Sequence, residues 1–245
     1  MLFVKLVELY GRYGYTIRSS ISPFLLSKIS NSPAEDGTFT YAIKEGVNIG
    51  HSGGGISLSE VSLFEDIGQV YSPKRVYCVG CSFGWSTLAI AMAMPGAKIV
   101  ALDIGLGMGK EGLALTNRIA SENGFDVTGV LGASPKDTGG ALAAHFDGPP
   151  DMVFIDADHT NEAQTADFLG ARPHCTPDTV YVFHDVMVCQ MLDSFREIAA
   201  QLPDHKPRIL SRTASGMGFL VPKGKFPDLH RILDAYCDPV GAVAV

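Results

Sequence analysis

The chain has 245 residues, and its 26 acidic residues outnumber its 19 lysines and arginines, which gives a formal net charge of −7. Hydrophobic residues make up 46% of the composition, and a chain of this length can bury about three quarters of its unfolded surface. These figures exclude a largely disordered chain. The acidic balance also argues against a protein that follows nucleic-acid phosphates, because such a protein shows a basic face.

Membrane insertion and secretion are not expected from the N-terminal sequence. No apolar run approaches the ~18 to 20 residues that span a bilayer, and charged residues from Lys5 to Arg18 interrupt the apolar start. Five cysteines form an odd set, which is typical of reduced thiols in the cytoplasm. Cys78 and Cys81 have CxxC spacing, but no second such pair follows, so a zinc or redox site is not predicted. We expect a cytoplasmic protein.

The first 56 residues are predicted to form an N-terminal helical cap and a loop. A short amphipathic helix covers 2–10, and the stretch 31–56 is rich in serine, glycine and asparagine, with His51 as an expected surface residue. The main domain is predicted to cover 57–245. Its first helix, over 58–70, begins with a capping box in which Ser57 and Glu60 bond each other's main-chain N–H groups.

From residue 75 onward, short unbroken apolar runs alternate with helical patterns, as expected for parallel strands covered on both faces. The predicted strands cover 76–79, 99–102, 127–131, 152–155 and 180–183, and the predicted helices cover 86–94, 110–123, 137–145 and 162–169. A helix over 191–201 then precedes an antiparallel hairpin with strands over 208–210 and 218–221. The predicted fold class is α/β: a doubly wound, mostly parallel seven-stranded sheet with an antiparallel edge strand.

Small and polar residues follow five of the predicted strands. In an open α/β sheet, ligands bind at the carboxyl ends of the strands, near the point where the strand order reverses. We therefore expect one continuous polar crevice. The residues at the five strand ends are 80–87, Asp103, 132–134, 156–159 and 184–185.

The first of these loops has glycines at Gly80 and Gly84, but Ser82 replaces the second glycine of a G-x-G-x-x-G dinucleotide fingerprint. The glycines still allow a tight turn and a close approach of the backbone to a ligand. Ser86 at the helix start suits a carboxylate, and Asp103 is placed to accept hydrogen bonds from both hydroxyls of a ribose. The pattern favours a nucleoside-bearing ligand over a nicotinamide dinucleotide.

With these motifs in order over about 56–221, the sequence resembles the class I S-adenosylmethionine-dependent methyltransferases, which have a Rossmann-like fold. Among them it resembles the metal-dependent small-molecule O-methyltransferases, such as catechol and caffeoyl-CoA O-methyltransferase. The resemblance implies transfer of a methyl group from S-adenosylmethionine (SAM) to a hydroxyl of a small acceptor. The implied cofactor-binding residues are Gly80, Cys81, Ser82, Phe83, Gly84, Ser86, Asp103, Ile104, Ala133, Ser134 and Asp156. Of these, the resemblance assigns Gly80 and Ser86 to the methionine portion of the cofactor, Asp103 to the ribose, and Ala133 and Ser134 to the adenine edge. The implied metal ligands are Asp156, His184 and Asp185, and the implied catalytic residues are His159, Asp156 and His184.

Two positions depart from the family pattern. The family usually has a carboxylate where Cys78 stands, and this carboxylate holds the methionine ammonium, so Asp156, a backbone carbonyl or water must replace it. The family's second metal carboxylate maps onto His184. The resulting mixture of oxygen and nitrogen donors tolerates magnesium but also suits manganese, iron or zinc. His159 stands where catechol-type enzymes have a lysine base, and we expect the adjacent Asp158 to raise the pKa of its imidazole somewhat.

Two other functions remain open at this point. One is a metal- or nicotinamide-dependent oxidoreductase on the same fold. The other is a non-catalytic, methyltransferase-like binding protein, which the missing acid at Cys78 suggests. The expected partner is a small hydroxylated acceptor, with no nucleic acid and no membrane, and a homo-oligomer is left open.

Overall fold

The structure is a computed structural model that describes residues 1–21, 38–48 and 55–237. Half of the predicted N-terminal loop 31–56, including His51, lies outside the described residues. The helices are α1 (Leu2–Gly11), α2 (Leu58–Gly68), α3 (Trp85–Ala93), α4 (Gly109–Asn123), α5 (Thr138–His145), α6 (Asn161–Ala171), α7 (Leu192–Ala200) and α8 (Pro227–Ala235). The strands are β1 (Thr16–Ile21), β2 (Thr38–Lys44), β3 (Val47–Asn48), β4 (Arg75–Val79), β5 (Lys98–Asp103), β6 (Val127–Leu131), β7 (Met152–Ile155), β8 (Val180–Phe183), β9 (His205–Leu210) and β10 (Met217–Pro222).

The central sheet has seven strands in the order β6-β5-β4-β7-β8-β10-β9. The first five are parallel, and β10 pairs antiparallel with both β8 and β9. This confirms the predicted fold class. The chain moves outward in one direction from β4 to β6 and in the other from β7 to β8, so the strand order reverses between β4 and β7. A crevice for ligands is therefore expected at the carboxyl ends of these two strands.

Two apolar layers cover the sheet because neighbouring side chains of each strand point to opposite faces. In β4, Val76 and Cys78 belong to one layer, and Tyr77 and Val79 belong to the other. The helices supply buried apolar side chains to one layer or the other. The first layer receives Leu6, Phe64, Leu88, Ile119 and Leu229, and the second receives Leu142, Phe168, Phe195 and Ile198.

The N-terminal region differs from the predicted helical cap. α1 is present, but β1, β2 and β3 form a separate three-stranded antiparallel sheet that was not predicted. The segment 38–44 reads Thr-Phe-Thr-Tyr-Ala-Ile-Lys and is rich in residues that favour strands. This composition could have predicted β2. α8 was also not predicted, although Pro227 at its first turn is a common helix-start signal.

The predicted capping box at the start of α2 is confirmed. The side-chain oxygen of Ser57 accepts from the main-chain N–H of Glu60, and the Glu60 carboxylate accepts from the Ser57 N–H at 2.8 Å. Unlike a typical surface cap, the Glu60 side chain is fully buried. None of the helices within the described ranges combines the length and the apolar character that a bilayer crossing requires.

Gly68, at the end of α2, allows this helix to pack closely against α3. An ideal Cβ at this position would lie 2.1 Å from the main-chain oxygen of Ala93. Because this atom belongs to the backbone, a change of side-chain rotamer cannot relieve the clash. We expect Gly68→Ala to lower the free energy of unfolding in urea by about 1–3 kcal/mol through overpacking. The control is Gly11→Ala at the end of α1, where the added Cβ would meet no atom within 4 Å from other parts of the described chain. The control should change stability by no more than ~1 kcal/mol, and equal losses in the two variants would contradict the packing argument.

Candidate active site

The glycine-containing loop after β4 packs directly on the loop after β7. Gly80 has a φ of 92°, and an ideal Cβ there would lie 1.9 Å from the main-chain oxygen of Asp156. Only glycine fits this position without a shift of the backbone. The carboxyl ends of β4 and β7 are thereby held together, as the predicted crevice requires.

The N-terminus of α3 is open to an anionic ligand. Gly84 occupies the N-cap position with a φ of 82°, and no side chain in the described part of the chain caps this helix. The N–H groups of a first helical turn have no partners within the helix, and the helix dipole favours negative charge there. Ser86, predicted to contact the methionine portion of the cofactor, lies in this turn and is 7% exposed.

Asp103 organises the same loop from the end of β5. Its Oδ2 accepts from the N–H groups of Cys81 and Ser82, both at 2.8 Å, and its Oδ1 accepts from Gly105 at 2.7 Å. A carboxylate offers about four acceptor positions, so these three bonds leave room for about one further hydrogen bond with a ligand. Asp103 therefore has a structural task that the sequence did not indicate, in addition to the predicted contact with ribose.

Two residues that were predicted to bind the cofactor, Cys81 and Phe83, point their side chains into the protein. Phe83 is 1% exposed and lies in the core against Tyr10 and Trp85. The Cys81 side chain is also buried, and burial raises the pKa of its thiol to about 11. Phe83 and Cys81 can therefore offer a ligand only main-chain atoms. Cys78 is fully buried, and burial raises the pKa of its thiol too, so it stays neutral and supplies no charge to an ammonium group.

The predicted adenine side of the crevice lies next to Asp103 in the sheet, because β5 pairs with β6. Ile104 follows Asp103 and is 55% exposed. Ala133 donates its N–H to Oδ2 of Asp137 at 2.8 Å, and Ser134 follows it in the same loop. The structure thus brings these predicted cofactor residues to one side of the glycine loop.

His184 lies at the centre of the site, where it is almost enclosed by carboxylates. Its Nδ1 is 3.2 Å from Oδ1 of Asp156 and 3.3 Å from Oδ1 of Asp185, and its Nε2 is 3.1 Å from Oε2 of Glu60. Burial alone would lower the pKa of His184, but the charges of Asp185, Asp156 and Glu60 raise it well above its usual value. The pKa of Asp156 is lowered, because His184 and His159 outweigh the opposing effect of burial.

The backbone at Asp185 helps His184 and Asp185 to face the same point. Successive side chains of an extended strand point to opposite faces, but Asp185 has a φ of 55°, in the left-handed region. Aspartate adopts this conformation more readily than most residues. The chain therefore turns immediately after His184, and both side chains reach the crevice.

These three residues fit a divalent cation. Asp156, His184 and Asp185 each offer one ligand atom, and the three atoms lie within 4.8 Å of one another. Within the described chain, Nδ1 of His184 and Oδ1 of Asp185 are buried without a hydrogen-bond partner, although they are only 3.3 Å apart. Buried polar atoms normally have partners, and atoms that converge without hydrogen-bonding geometry are typical of a metal-binding site. The set offers two oxygens and one nitrogen.

His159 lies beside this cluster and is about one third exposed. Its Nε2 is 3.0 Å from Oδ2 of Asp185 and 3.6 Å from Oδ1 of Asp156. Burial lowers the pKa of His159, but Asp156 and Asp185 together raise it above its usual value. The sequence had suggested Asp158 as the residue with this effect. A second group with metal-ligand spacing combines His159 and Asp185 with Cys189.

Glu60 contacts the site, although the sequence did not predict it to be a site residue. It lies 124 positions from His184 in the chain, and its role in the capping box already accounted for it. Burial would raise the pKa of Glu60, but His184, together with Ser215 and Ser57, lowers it to about 2. Only the folded structure shows that this carboxylate contacts the site.

The comparisons with known proteins agree with this fold and crevice. Residues 78–186, from β4 to the turn after β8, match the model of a family described as a methyltransferase domain. No curated protein matches the chain. The structure is similar to an O-methyltransferase from Bacillus cereus in complex with S-adenosylhomocysteine (SAH), at 20% identity and a TM-score of 0.54, over 69% of this chain and 82% of that one.

Two further solved structures are similar at the same level. One is the O-methyltransferase TomG from Streptomyces achromogenes in complex with SAM, at 18% identity and a TM-score of 0.54, over 69% of this chain and 82% of that one. The other is an SAH-bound methyltransferase from Podospora anserina, at 18% identity and a TM-score of 0.53, over 68% and 79%. Residues 78–186 therefore match a methyltransferase domain, and the structure has the fold of these O-methyltransferases, which is the fold that the resemblance in the sequence implied.

Proposed function

We propose that this protein transfers the methyl group of SAM to a hydroxyl oxygen of a small acceptor, with a divalent metal ion held by Asp156, His184 and Asp185. The observation that carries the proposal is the contact between Gly80 and the main chain of Asp156. It places the open N-terminus of α3, which suits the carboxylate of methionine, beside a cluster whose buried atoms lack partners. A methyl donor and a metal-bound acceptor would then share one crevice.

The chemistry asks the protein mainly for alignment. The methyl group of SAM is already activated by the positive sulfur, so the reaction needs an acceptor oxygen held in line with it. A divalent metal, when bound, would act as a Lewis acid that lowers the pKa of an acceptor hydroxyl. The acceptor that suits this site best is a small molecule with two neighbouring oxygens. The O-methyltransferase names of the similar structures support oxygen as the atom that is methylated.

His159 is proposed to take the proton of the acceptor. Its side chain is more exposed than that of His184, the other histidine at the cluster. Its Nε2 atom is itself buried and has no hydrogen-bond partner among the described residues. A general base must lie within hydrogen-bond reach of the proton that it removes. His159 can meet this condition because it lies at the crevice mouth, beside the proposed metal ligands.

The donor set also bears on the class of metal. Mg²⁺ prefers oxygen ligands, whereas imidazole suits manganese, iron and zinc. With His184 among the ligands, we propose that transition-metal ions bind at least as tightly as Mg²⁺. A cytoplasmic location, and a lack of nucleic-acid and membrane partners, remain predictions from composition and sequence.

Asp103 supplies the first test of the cofactor site. We expect Asp103→Ala to weaken the binding of SAH by roughly tenfold to over a hundredfold, because a charged hydrogen-bond acceptor is worth about 1.5–3 kcal/mol. Isothermal titration calorimetry measures this effect. The matched control is Asp151→Ala, since Oδ2 of Asp151 also accepts two main-chain N–H groups, but at the other end of β4. Equal weakening in both variants would mean that Asp103 acts only through general loop stability.

Removal of metal tests the catalytic proposal. Methyl transfer from labelled SAM to a panel of catechol-type and vicinal diol acceptors should disappear after exhaustive chelation and return with Mn²⁺, Zn²⁺ or Mg²⁺. Asp185→Asn should reduce this recovery, because it removes a charged ligand, whereas Asp158→Asn in the exposed part of the neighbouring loop should not. Activity that survives chelation would show a metal-free polar site, with His184 as the leading base.

A separate variant tests the proposed base. We expect His159→Ala to lower the turnover number by about 10² to 10⁴ and to leave the affinity for SAH unchanged. The control is His230→Ala, because Nε2 of His230 is 3.1 Å from the main-chain oxygen of Pro222 at the end of β10, which lies beside the start of β8 and away from the crevice. Nearly full turnover in the His159 variant would assign proton removal to another group.

A further inference from the structure

The buried contact between Glu60 and His184 is not explained by methyl transfer or by the capping of α2. We propose that Glu60 is a positioning residue that holds His184 with Nδ1 towards Asp156 and Asp185, and so makes His184 the nitrogen ligand of the metal. The inference rests on the proposed function, because it concerns the same metal site. It adds a residue from outside the cluster of ligands.

The two ring nitrogens of His184 face different partners. Nε2 is 3.1 Å from Oε2 of Glu60, whereas Nδ1 faces Oδ1 of both Asp156 and Asp185. An imidazole that donates from one nitrogen to a carboxylate keeps the lone pair of its other nitrogen for a metal. Histidine ligands in metal sites commonly make such a second contact, which fixes the ring orientation.

The surroundings of Glu60 establish the direction of this hydrogen bond. Its Oε1 accepts from the main-chain N–H of Ser215 at 2.9 Å and from the Ser215 hydroxyl at 2.5 Å. Its Oε2 accepts from the main-chain N–H of Ser57 at 2.8 Å. Since main-chain N–H groups can only donate, both carboxylate oxygens act as acceptors. The Nε2 atom of His184 is therefore the donor towards Oε2.

Glu60 is also held in place from three directions. Ser57 belongs to the start of α2, Ser215 lies in the loop between β9 and β10, and His184 follows β8. Glu60 is fully buried and His184 is 3% exposed. A helix cap alone does not require a buried carboxylate, and burial of a charge is costly unless the charge is well paired. The burial is better explained by a need to orient the ring.

Metal-binding measurements on the full chain test this role. Glu60→Gln keeps the shape of the side chain but replaces one acceptor oxygen with an NH₂ group. We expect it to weaken Zn²⁺ binding, measured by calorimetry, by about 10- to 100-fold. The control is Ser215→Ala, which removes a hydroxyl that bonds the other carboxylate oxygen. It should keep the Zn²⁺ affinity within about twofold of the original.

A double-mutant comparison separates positioning from general stability. If Glu60 acts through the ring, Glu60→Gln should have no effect on Zn²⁺ affinity when His184→Ala is already present. An equal effect in both backgrounds, or no effect in the original chain, would overturn the inference. SAH affinity is measured for every variant: retained SAH binding shows that a variant is folded. Failure of the original chain to bind SAH would count against the proposed function instead.

A spectroscopic measurement on the unmutated protein keeps the inference testable even if the Glu60 variant does not fold. Long-range proton–nitrogen spectra of the Zn²⁺-loaded, histidine-labelled chain should show His184 protonated at Nε2 and metal-bound at Nδ1. Metal bound at Nε2, or His184 unaffected by Zn²⁺, would overturn the inference. If the original chain binds SAH but no Zn²⁺, the inference and the metal part of the proposed function both fail, while the cofactor site stands.

Discussion

The burial of charge at the carboxyl ends of β7 and β8 is the constraint on which the rest of this site depends. Three carboxylates, those of Glu60, Asp156 and Asp185, lie around His184, and His159 adds one more imidazole. Even with both imidazoles protonated, the three negative charges exceed the two positive ones. Such an excess is costly in a partly dry crevice, and a bound cation is the simplest way to relieve it.

This arrangement is possible because the backbone brings distant strand ends together. Gly80 lets the loop after β4 touch the loop after β7, and the left-handed turn at Asp185 directs consecutive side chains to one point. Asp103 then fixes the glycine loop by accepting the main-chain N–H groups of Cys81 and Ser82. The proposed cofactor side and the proposed metal side of the crevice are therefore built on loops that pack against each other.

The sequence predicted the central sheet well, for a physical reason. Strands buried on both faces read as unbroken apolar runs, and β6, β7 and β8 have the predicted bounds, while the other predicted elements differ by one to three residues. The N-terminal sheet was missed because its strands mix apolar and polar residues, and because 16 residues, 22–37, separate β1 from its partner β2 in the chain. Phe83 was assigned to the cofactor from the resemblance, which did not show that its side chain packs against Tyr10 and Trp85.

Contacts between distant residues set the limit of sequence interpretation at the site. Asp156, His159, His184 and Asp185 were predicted together because each follows a strand. Glu60 follows no strand, and a local motif already explained it. In the same way, the carboxylates that act on His159 include Asp185, which comes 26 positions later in the chain, whereas the sequence pointed to its neighbour Asp158.

Glu60 both caps α2 and contacts residues far along the chain, and this affects the order in which the protein folds during synthesis. The carboxylate joins α2 to Ser215, which lies 155 positions later in the chain. All the proposed ligands leave the ribosome before the β9–β10 hairpin is complete, yet the carboxylate that fixes His184 gains its Ser215 partner only when that hairpin docks. A nascent or truncated chain that ends before Ser215 would thus contain every proposed ligand but leave Oε1 of Glu60 without its Ser215 partner, so we expect the proposed metal site to form only after the last strands of the sheet have docked.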